Sequence, residues 1–350
     1  MGKMAGLRSV TIGTRNLEQS IYLFHDILGL NYERQGSKNA VRFGDAFLSP
    51  GTRIHFIEVP NYSTENNHVL SVGLRTPSDL GLEEYQSILD QNEIKYGDVT
   101  EMNNNKHFEF KDGNGQFFDI YSNENNSGVP LGMPTDEGTV NPLHQIQGLG
   151  PVIVQVNEML LTSSILSKVF GLDHFAEYTP TTDDDFKVQV FRIGEGGLGG
   201  ELHIFQATEP INLPEYGSVE QIEFSTQSKQ EYRNAVQQLE TIGIPYQTLE
   251  QQDSESVRIT ENSGLSFILT LEKANLHRKD CEHMLHEEWK DKQPIKKVEV
   301  LHTDAKKFTV SDMLTIGKQY DVVNETEEYY QIIDNSGKVG GYYKEYFKEV

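Results

Sequence analysis

LRSVTIGTRNLEQSIYLFHDILGL, residues 7–30, returns as LGPVIVQVNEMLLTSSILSKVFGL at residues 149–172. VLSVGLRTPSDLGLEEYQSILDQNEIKY, residues 69–96, returns as VEQIEFSTQSKQEYRNAVQQLETIGIPY at residues 219–246. Each stretch opens on a short apolar strand and passes into a helix. In the first, Leu17, Ile21, Phe24 and Leu28 stack on one helix face and Gly29 is placed to end it. The order along the chain is therefore A, B, A, B. A duplication of this size outranks any single motif, because each unit must bury its apolar face against a sister unit.

Working outward, each repeat continues into three further strands, giving four βαβββ modules. In module one the strands fall near residues 31–35, 40–48 and 53–59. In module two they fall near 97–100, 106–111 and 116–122, with Lys111-Asp112-Gly113-Asn114-Gly115 as a hairpin turn. The fold class expected is α+β: four βαβββ modules forming two cupped sheets, plus a small C-terminal SH3-like β-barrel. The expected division is a first module pair over 1–125, a linker over 126–147 and a second module pair over 148–272. A helical connector over 273–293 and the barrel over 294–350 follow. In the barrel, Tyr342, Tyr343, Tyr346 and Phe347 read as core and rim of a tiny domain, with a peptide-binding groove as the alternative.

The chain has 350 residues and a formal net charge of −23, which excludes the clustered Lys and Arg that a nucleic-acid backbone requires. No apolar run approaches a bilayer span, and the first residues lack the apolar segment of a signal peptide. With Cys281 as the one cysteine, a disulfide framework is excluded and a cytoplasmic location is expected. The acidic run Asp183, Asp184 and Asp185 lacks the partner spacing of a calcium loop and reads as a solvated loop. The segment 194–200, GEGGLGG, lacks the Lys-Ser/Thr of a phosphate loop and reads as a hairpin loop with glycines at positive φ.

The repeated βαβββ pattern resembles the vicinal oxygen chelate superfamily of glyoxalases, extradiol dioxygenases and fosfomycin-resistance proteins. The Gly-Leu helix ends, the turn Pro50-Gly51-Thr52 and the stretch DGNGQFFDIY at 112–121 carry that resemblance. The four-module length and the Pro-Gly-Thr turn look most like the ring-cleaving dioxygenase branch. The layout also resembles the bacterial CppA-type family, described as complement-degrading proteinases, although no protease site is legible. The resemblance covers about residues 5–272, and it implies fold more specifically than reaction.

Enzymes of that branch hold iron or manganese with two histidines and one carboxylate. Carried over by the resemblance, those positions fall on Ser9, Gln221 and Ile268, none of which is a strong ligand. The usual metal site is therefore expected to be degenerate, with Ser9, Ser71 and Gln221 as ligand-binding candidates. Three other residues are catalytic candidates: Asp119 at the carboxylate position of module two, and His55 and His203 at matching places in the two A modules. If the outer modules pair with each other, His203, Asp119 and Ser71 share a cup. If sequence neighbours pair, His55, Asp119, Ser9 and Ser71 do.

His203 with Asp119 is the weak alternative for a metal, and a His–Asp pair is also competent as a general base. His277, Cys281, His283 and His286 lie on one connector, which suits a solvated helix better than a zinc site. The resulting expectation is a small-molecule ligand bound in a cup, with no cofactor expected. An active enzyme using iron or manganese at an unusual His/Asp site stands as one alternative. A protein partner recruited through 294–350 stands as the other. Nucleic acid and membrane are not expected partners.

Overall fold

The computed structural model describes residues 5–36, 39–65, 67–135, 138–179, 187–211, 218–250, 254–272, 294–303, 310, 313–325, 328–335 and 339–350. The chain divides into two compact units, Met1–Ala274 and Asn275–Val350. Asp183, Asp184, Asp185, His277, Cys281, His283, His286 and the connector 273–293 lie outside the described residues.

Unit one contains four modules in chain order. Module one is β1 (Gly6–Thr14), α1 (Leu17–Ile21), β2 (Asn31–Arg34), β3 (Ala40–Gly44) and β4 (Arg53–Glu58). Module two is β5 (Val69–Thr76), α2 (Asp79–Gln91), β6 (Thr100–Met102), β7 (Asn105–Lys111) and β8 (Phe117–Ser122). Module three is β9 (Gly148–Val156), α3 (Met159–Lys168), β10 (Asp173–Tyr178), β11 (Val188–Arg192) and β12 (Glu201–Gln206). Module four is β13 (Gln221–Thr226), α4 (Lys229–Ile242), β14 (Gln247–Glu250), β15 (Ser254–Thr260) and β16 (Ser266–Glu272).

Capping side chains start α1 and α4. Asn16 accepts the amide of Gln19 at 3.1 Å to start α1, which continues as a π-helical turn over Tyr22–Ile27. Gly29 follows at φ +78°, and a Cβ there would stand 2.9 Å from Val140 Cγ2. In α4, Ser228 accepts the amide of Glu231 at 3.2 Å, and Gly243 closes the helix at φ +79°.

Within each module the first strand runs parallel to the last, and the other pairs are antiparallel. The modules join through their first strands, β1 against β13 and β5 against β9, both antiparallel. The two eight-stranded sheets are therefore β14-β15-β16-β13-β1-β4-β3-β2 and β10-β11-β12-β9-β5-β8-β7-β6. Modules one and four share one sheet, and modules two and three share the other. Of the two pairings open at the level of sequence, the outer-with-outer arrangement is the one observed, so the sheets cut across the ranges 1–125 and 148–272.

One face of each sheet turns toward a common core. Val10, Ile12, Val72, Leu74, Val152, Val154, Ile222 and Phe224 are fully buried on that face. Phe24 of module one meets Phe43 and Phe56 of its own module and Phe118 of the other sheet, the last at 4.9 Å between ring centroids. The opposite faces form the cups. A bulge between Leu7 and Ser9 in β1 keeps Leu7 and Val10 in the core while turning Arg8 and Ser9 to the cup side.

The stretch 126–147 is packed rather than free-running. Val129, Val140, Gln145 and Ile146 in it are buried, and the buried Arg75 guanidinium donates to the carbonyls of Val129 and Pro130. It joins β8 to β9 of the same sheet and packs on both sheets on the way: the Met133 amide donates to Asp45 of module one, and the Thr76 hydroxyl of module two donates to the His144 carbonyl. The glycine-rich loop takes the expected backbone, with Gly194, Gly196 and Gly197 at φ between +63° and +73°.

Unit two is a five-stranded antiparallel sheet: β17 (Lys296–Val300), β18 (Gln319–Glu325), β19 (Tyr329–Ile333), β20 (Val339–Tyr343) and β21 (Phe347–Glu349). Their order is β20-β19-β18-β17-β21. Tyr342, Tyr346 and Phe347 pack with Val298, Val322 and Ile332 in its core, while Tyr343 is exposed. The tyrosine hydroxyls are satisfied at the edge: Tyr342 donates to Asp334 at 2.7 Å and Tyr320 to Asn335 at 2.8 Å.

Candidate functional site

Strand alternation decides which side chains line the cups. In β8, Phe118 and Ile120 enter the core, so Asp119 and Tyr121 face the cup; in β7, Phe108 and Phe110 leave His107 to the cup. In β12, Leu202 and Ile204 leave Glu201 and His203. The cup of modules two and three thus holds two His–carboxylate pairs, one from each module.

The first pair is part of a chain of hydrogen bonds. Ser71 Oγ donates to Asp119 Oδ2 at 2.6 Å, and Asp119 Oδ1 lies 3.1 Å from His107 Nδ1. His107 Nε2 lies 3.1 Å from Thr100 Oγ1. These partners fix the tautomer: Nδ1–H donates to the carboxylate, and Nε2 accepts from the hydroxyl. The second pair is built alike, with His203 Nε2 3.2 Å from Glu201 Oε2 and Nδ1 3.1 Å from the Tyr178 hydroxyl. Tyr121 stacks on His107 at 4.6 Å, and burial, with the charges of Asp119 and Glu201, holds its hydroxyl well above the usual phenol range.

Ser71, Asp119 and His203 are therefore in one cup as the outer-module pairing requires, and the first two are bonded. His203 does not bond to Asp119. Ile153 connects them, standing opposite Ser71 on one side and His203 on the other.

The cup of modules one and four has a different chemistry. Ser9 Oγ donates to Glu223 Oε2 at 2.5 Å, and Thr270 Oγ1 donates to Glu223 Oε1 at 2.5 Å. Arg8 Nη1 lies 3.2 Å from Glu223, and its Nε donates to Glu272 at 2.5 Å. Burial alone raises a carboxyl, yet the Arg8 charge and the two hydroxyl donors bring Glu223 below its ordinary value. Ser9 pairs across the strands with Glu223, whereas Gln221 pairs with Thr11; Ile268 stands beside Glu223 and cannot coordinate. His55 lies in this cup, so it does not meet Asp119. Its Nε2 accepts from Arg42 Nε at 3.1 Å, and burial followed by the Arg42 charge lowers its pKa to about 3.

The resemblance implies a divalent metal, and the donor sets decide whether the residues fit one. At the mapped positions Ser9, Gln221 and Ile268, the Ser9 hydroxyl is engaged with Glu223, whose carboxylate is paired with Arg8, while an amide and an isoleucine are weak or no ligands, so they do not fit. In the other cup both oxygens of Asp119 and both nitrogens of His203 are engaged. Among the described residues no group of three or more His, Cys, Asp or Glu side chains is placed to hold a metal ion. A separate pocket of about 350 Å³ is lined by Tyr22, Leu23, Ile94 and Lys111, and it includes none of the His or carboxylate groups above.

Sequence reasoning passed over His107, Glu201, Tyr178, Glu223 and the three arginines Arg8, Arg42 and Arg53. The period-two alternation around Phe108, Leu202 and Ile222 carries the signal for His107, Glu201 and Glu223. The inward turn of Arg8 depends on a bulge and has no such signal.

Comparison with known proteins agrees with the architecture. Residues 284–350 match DUF6501, a family of unknown function. A 67-residue stretch, 19% of this chain, is 55% identical to the whole of the "Uncharacterized protein YozC" of Bacillus subtilis (strain 168). Over 239 residues, 65% of this chain and 74% of the relative, identity is 22% to the "Putative ring-cleaving dioxygenase MhqA" of the same organism. The crystal structure of a "putative dioxygenase" from Bacillus subtilis superposes with a TM-score of 0.61 at 16% identity, covering 80% of this chain and 89% of that one. A point mutant of glyoxalase I from Zea mays does so with a TM-score of 0.52 at 8% identity, covering 76% and 93%. No helix among the described residues is long and apolar enough to cross a membrane. The chain thus belongs, through residues 284–350, to the DUF6501 family of unknown function, and the four-module body before them has the glyoxalase and dioxygenase fold of the vicinal oxygen chelate superfamily.

Proposed function

We propose that this protein binds a small organic ligand in the cup of modules two and three, and that the ring-cleavage metal site of its fold relatives is degenerate. The observation that carries the reading is the closed donor set around Ser9 and Ile268, two of the three mapped ligand positions. The Ser9 hydroxyl donates to the Glu223 carboxylate, which is itself paired with Arg8, and Ile268 stands alongside. A cation entering there must displace the Arg8 guanidinium and strip two hydroxyl donors from the carboxylate, which opposes binding. The cup of modules two and three combines polar anchors with apolar walls, as organic-ligand sites do: Ser71, Asp119 and His203 among Ile153, Val190, Tyr121 and Tyr178. The fold relatives named for ring cleavage favour a compact aromatic alcohol as the first probe. The reducing compartment suggested by a single cysteine makes the cytoplasm the proposed place of action.

The test has two parts. Purified protein incubated with Fe²⁺ or Mn²⁺ is desalted and assayed for bound metal, and dioxygen uptake is followed with catechol and hydroquinone. Calorimetry with the same two compounds reads binding. The expected result is binding of at least one compound, weakened about tenfold by Asp119→Asn, without stoichiometric metal or ring cleavage. Stoichiometric iron or manganese with turnover refutes the degenerate site, and absence of any binding refutes the ligand assignment.

A second reading is favoured by the paired histidines. His107 and His203 are each oriented by a carboxylate, the arrangement that prepares an imidazole for proton transfer. On that reading the cup performs acid–base chemistry on its ligand, and Asp119→Ala abolishes turnover; unchanged activity in that variant removes it. For the C-terminal unit we propose an appended module that recruits a protein partner, supported by the occurrence of its homologue YozC as a complete 67-residue protein.

A further inference from the structure

The cup of modules one and four gathers guanidinium groups in a chain whose net charge is −23. Arg8 is balanced there by Glu223 and Glu272. Arg42 donates Nε to His55 and Nη2 to Gln35 at 3.3 Å, and Glu33 stands 3.8 Å away at the rim. Arg53 stands opposite Ser9 on the neighbouring strand and is only 9% exposed. Its Nε donates to the carbonyl of Leu48, and among the described residues it forms no ion pair. The charges of Arg8 and Arg42 act on it, after burial, in lowering its pKa to about 10. On the far wall Arg258 occupies, in module four, the strand equivalent to that of Arg42, and its Nε is buried without a partner.

A buried arginine without a carboxylate is expensive to keep, and two more beside it add like-charge repulsion. A fork of unengaged N–H donors in such a place is matched to a planar oxyanion, which it binds through two parallel hydrogen bonds. The remaining lining is rich in hydroxyls, Ser9, Thr11, Ser256 and Thr270 among them, with Ser256 and Thr270 2.8 Å apart. That lining suits a small polar molecule over a flat apolar one.

We propose that the cup of modules one and four is a second binding site, separate from that of modules two and three, which takes a small polar carboxylate on Arg53 and Arg42. The guanidinium groups supply there the positive charge that a metal ion supplies in a metal-dependent cup. The bound carboxylate completes the charge balance that Glu223 and Glu272 leave open.

The experiment uses the full chain. Melting temperature is recorded against acetate, lactate, malate and benzoate, with inorganic phosphate as a separate arm and sodium chloride at matched ionic strength as the control. At least one carboxylate is expected to raise the melting temperature saturably by about 3 °C or more. Calorimetry then gives the affinity, which Arg53→Gln should weaken about tenfold or more while the variant stays folded by circular dichroism. Arg42→Gln should weaken it as well.

Three outcomes overturn the proposal: no carboxylate exceeds sodium chloride, the response survives Arg53→Gln, or phosphate alone responds. A purely structural role for Arg53 predicts only a lower melting temperature in Arg53→Gln with no carboxylate response in the parent protein. Catechol binding measured in the same variant reads the other cup, so either site can fail without the other.

Discussion

Replacing His55 by Gln separates a charge effect from a packing effect, because the Gln carbonyl still accepts from Arg42 Nε but takes up no proton. In the folded protein the imidazole pKa is lowered from 6.5 to about 3, by burial first and the Arg42 guanidinium second. Unfolded chains therefore bind a proton between those values that folded chains do not, and stability must rise with pH across that window. The contribution is fully present above pH 6.5 and is lost progressively as the pH falls toward 3. Between pH 7.5 and pH 5 the loss amounts to about 2 kcal/mol for a fully shielded ring, and about 1 kcal/mol with its partly open edge discounted. Urea unfolding of the parent and His55→Gln proteins, followed by far-ultraviolet circular dichroism at pH 7.5, 6 and 5, reads the difference directly. The parent should lose about 1 to 2 kcal/mol more than the variant over that range. Parallel profiles, with a constant offset between the two proteins, refute the idea that His55 is held neutral in the folded state.

Glu223→Gln leaves Arg8 with Glu272 alone and keeps an acceptor for only one of the Ser9 and Thr270 hydroxyls, so urea unfolding should show a loss of about 3 kcal/mol. Ser71→Ala takes one donor from the buried Asp119 carboxylate and should cost about 1.5 to 3 kcal/mol by the same assay. Gly197→Ala places a methyl 1.8 Å from the Ser127 carbonyl oxygen at φ +69°, and a loss of about 3 kcal/mol or more, read as a lowered urea midpoint, should follow. Residues 284–350 expressed alone should give a cooperative thermal transition by circular dichroism, since their described part, from residue 294 on, holds a core of its own and a homologue of that length exists.

The repeat at residues 7–30 and 149–172 made the strand-helix-strand order legible, because apolar spacing reports burial directly. Gly29 marked a helix end for the same local reason, and the caps Asn16, Ser228 and Gly243 that the structure adds likewise act within a few residues. Ser71, Asp119 and His203 were legible as candidates from their places in the repeat. Of their partners, His107 meets Asp119 only when β7 lies beside β8, whereas Glu201 stands two residues from His203 on β12, where the alternation already carried it. The stretch 126–147, read from its Asn, Gly and Pro content as a linker, is packed because it lies against residues of modules one and two, a neighbourhood that composition does not display.

What the amino-acid sequence determined is the set of local decisions: strand alternation, helix caps and turn glycines. Those depend on neighbours within a few residues, where the chain's own geometry limits the choices. Tertiary structure decided which modules share a sheet, and through that which side chains meet. Arg8 reaches Glu223 and Glu272 across more than two hundred residues, by a strand pairing between β1 and β13 and a bulge that turns it inward. Such long-range pairing is fixed by the sum of core packing over many residues, and no short stretch of sequence carries it.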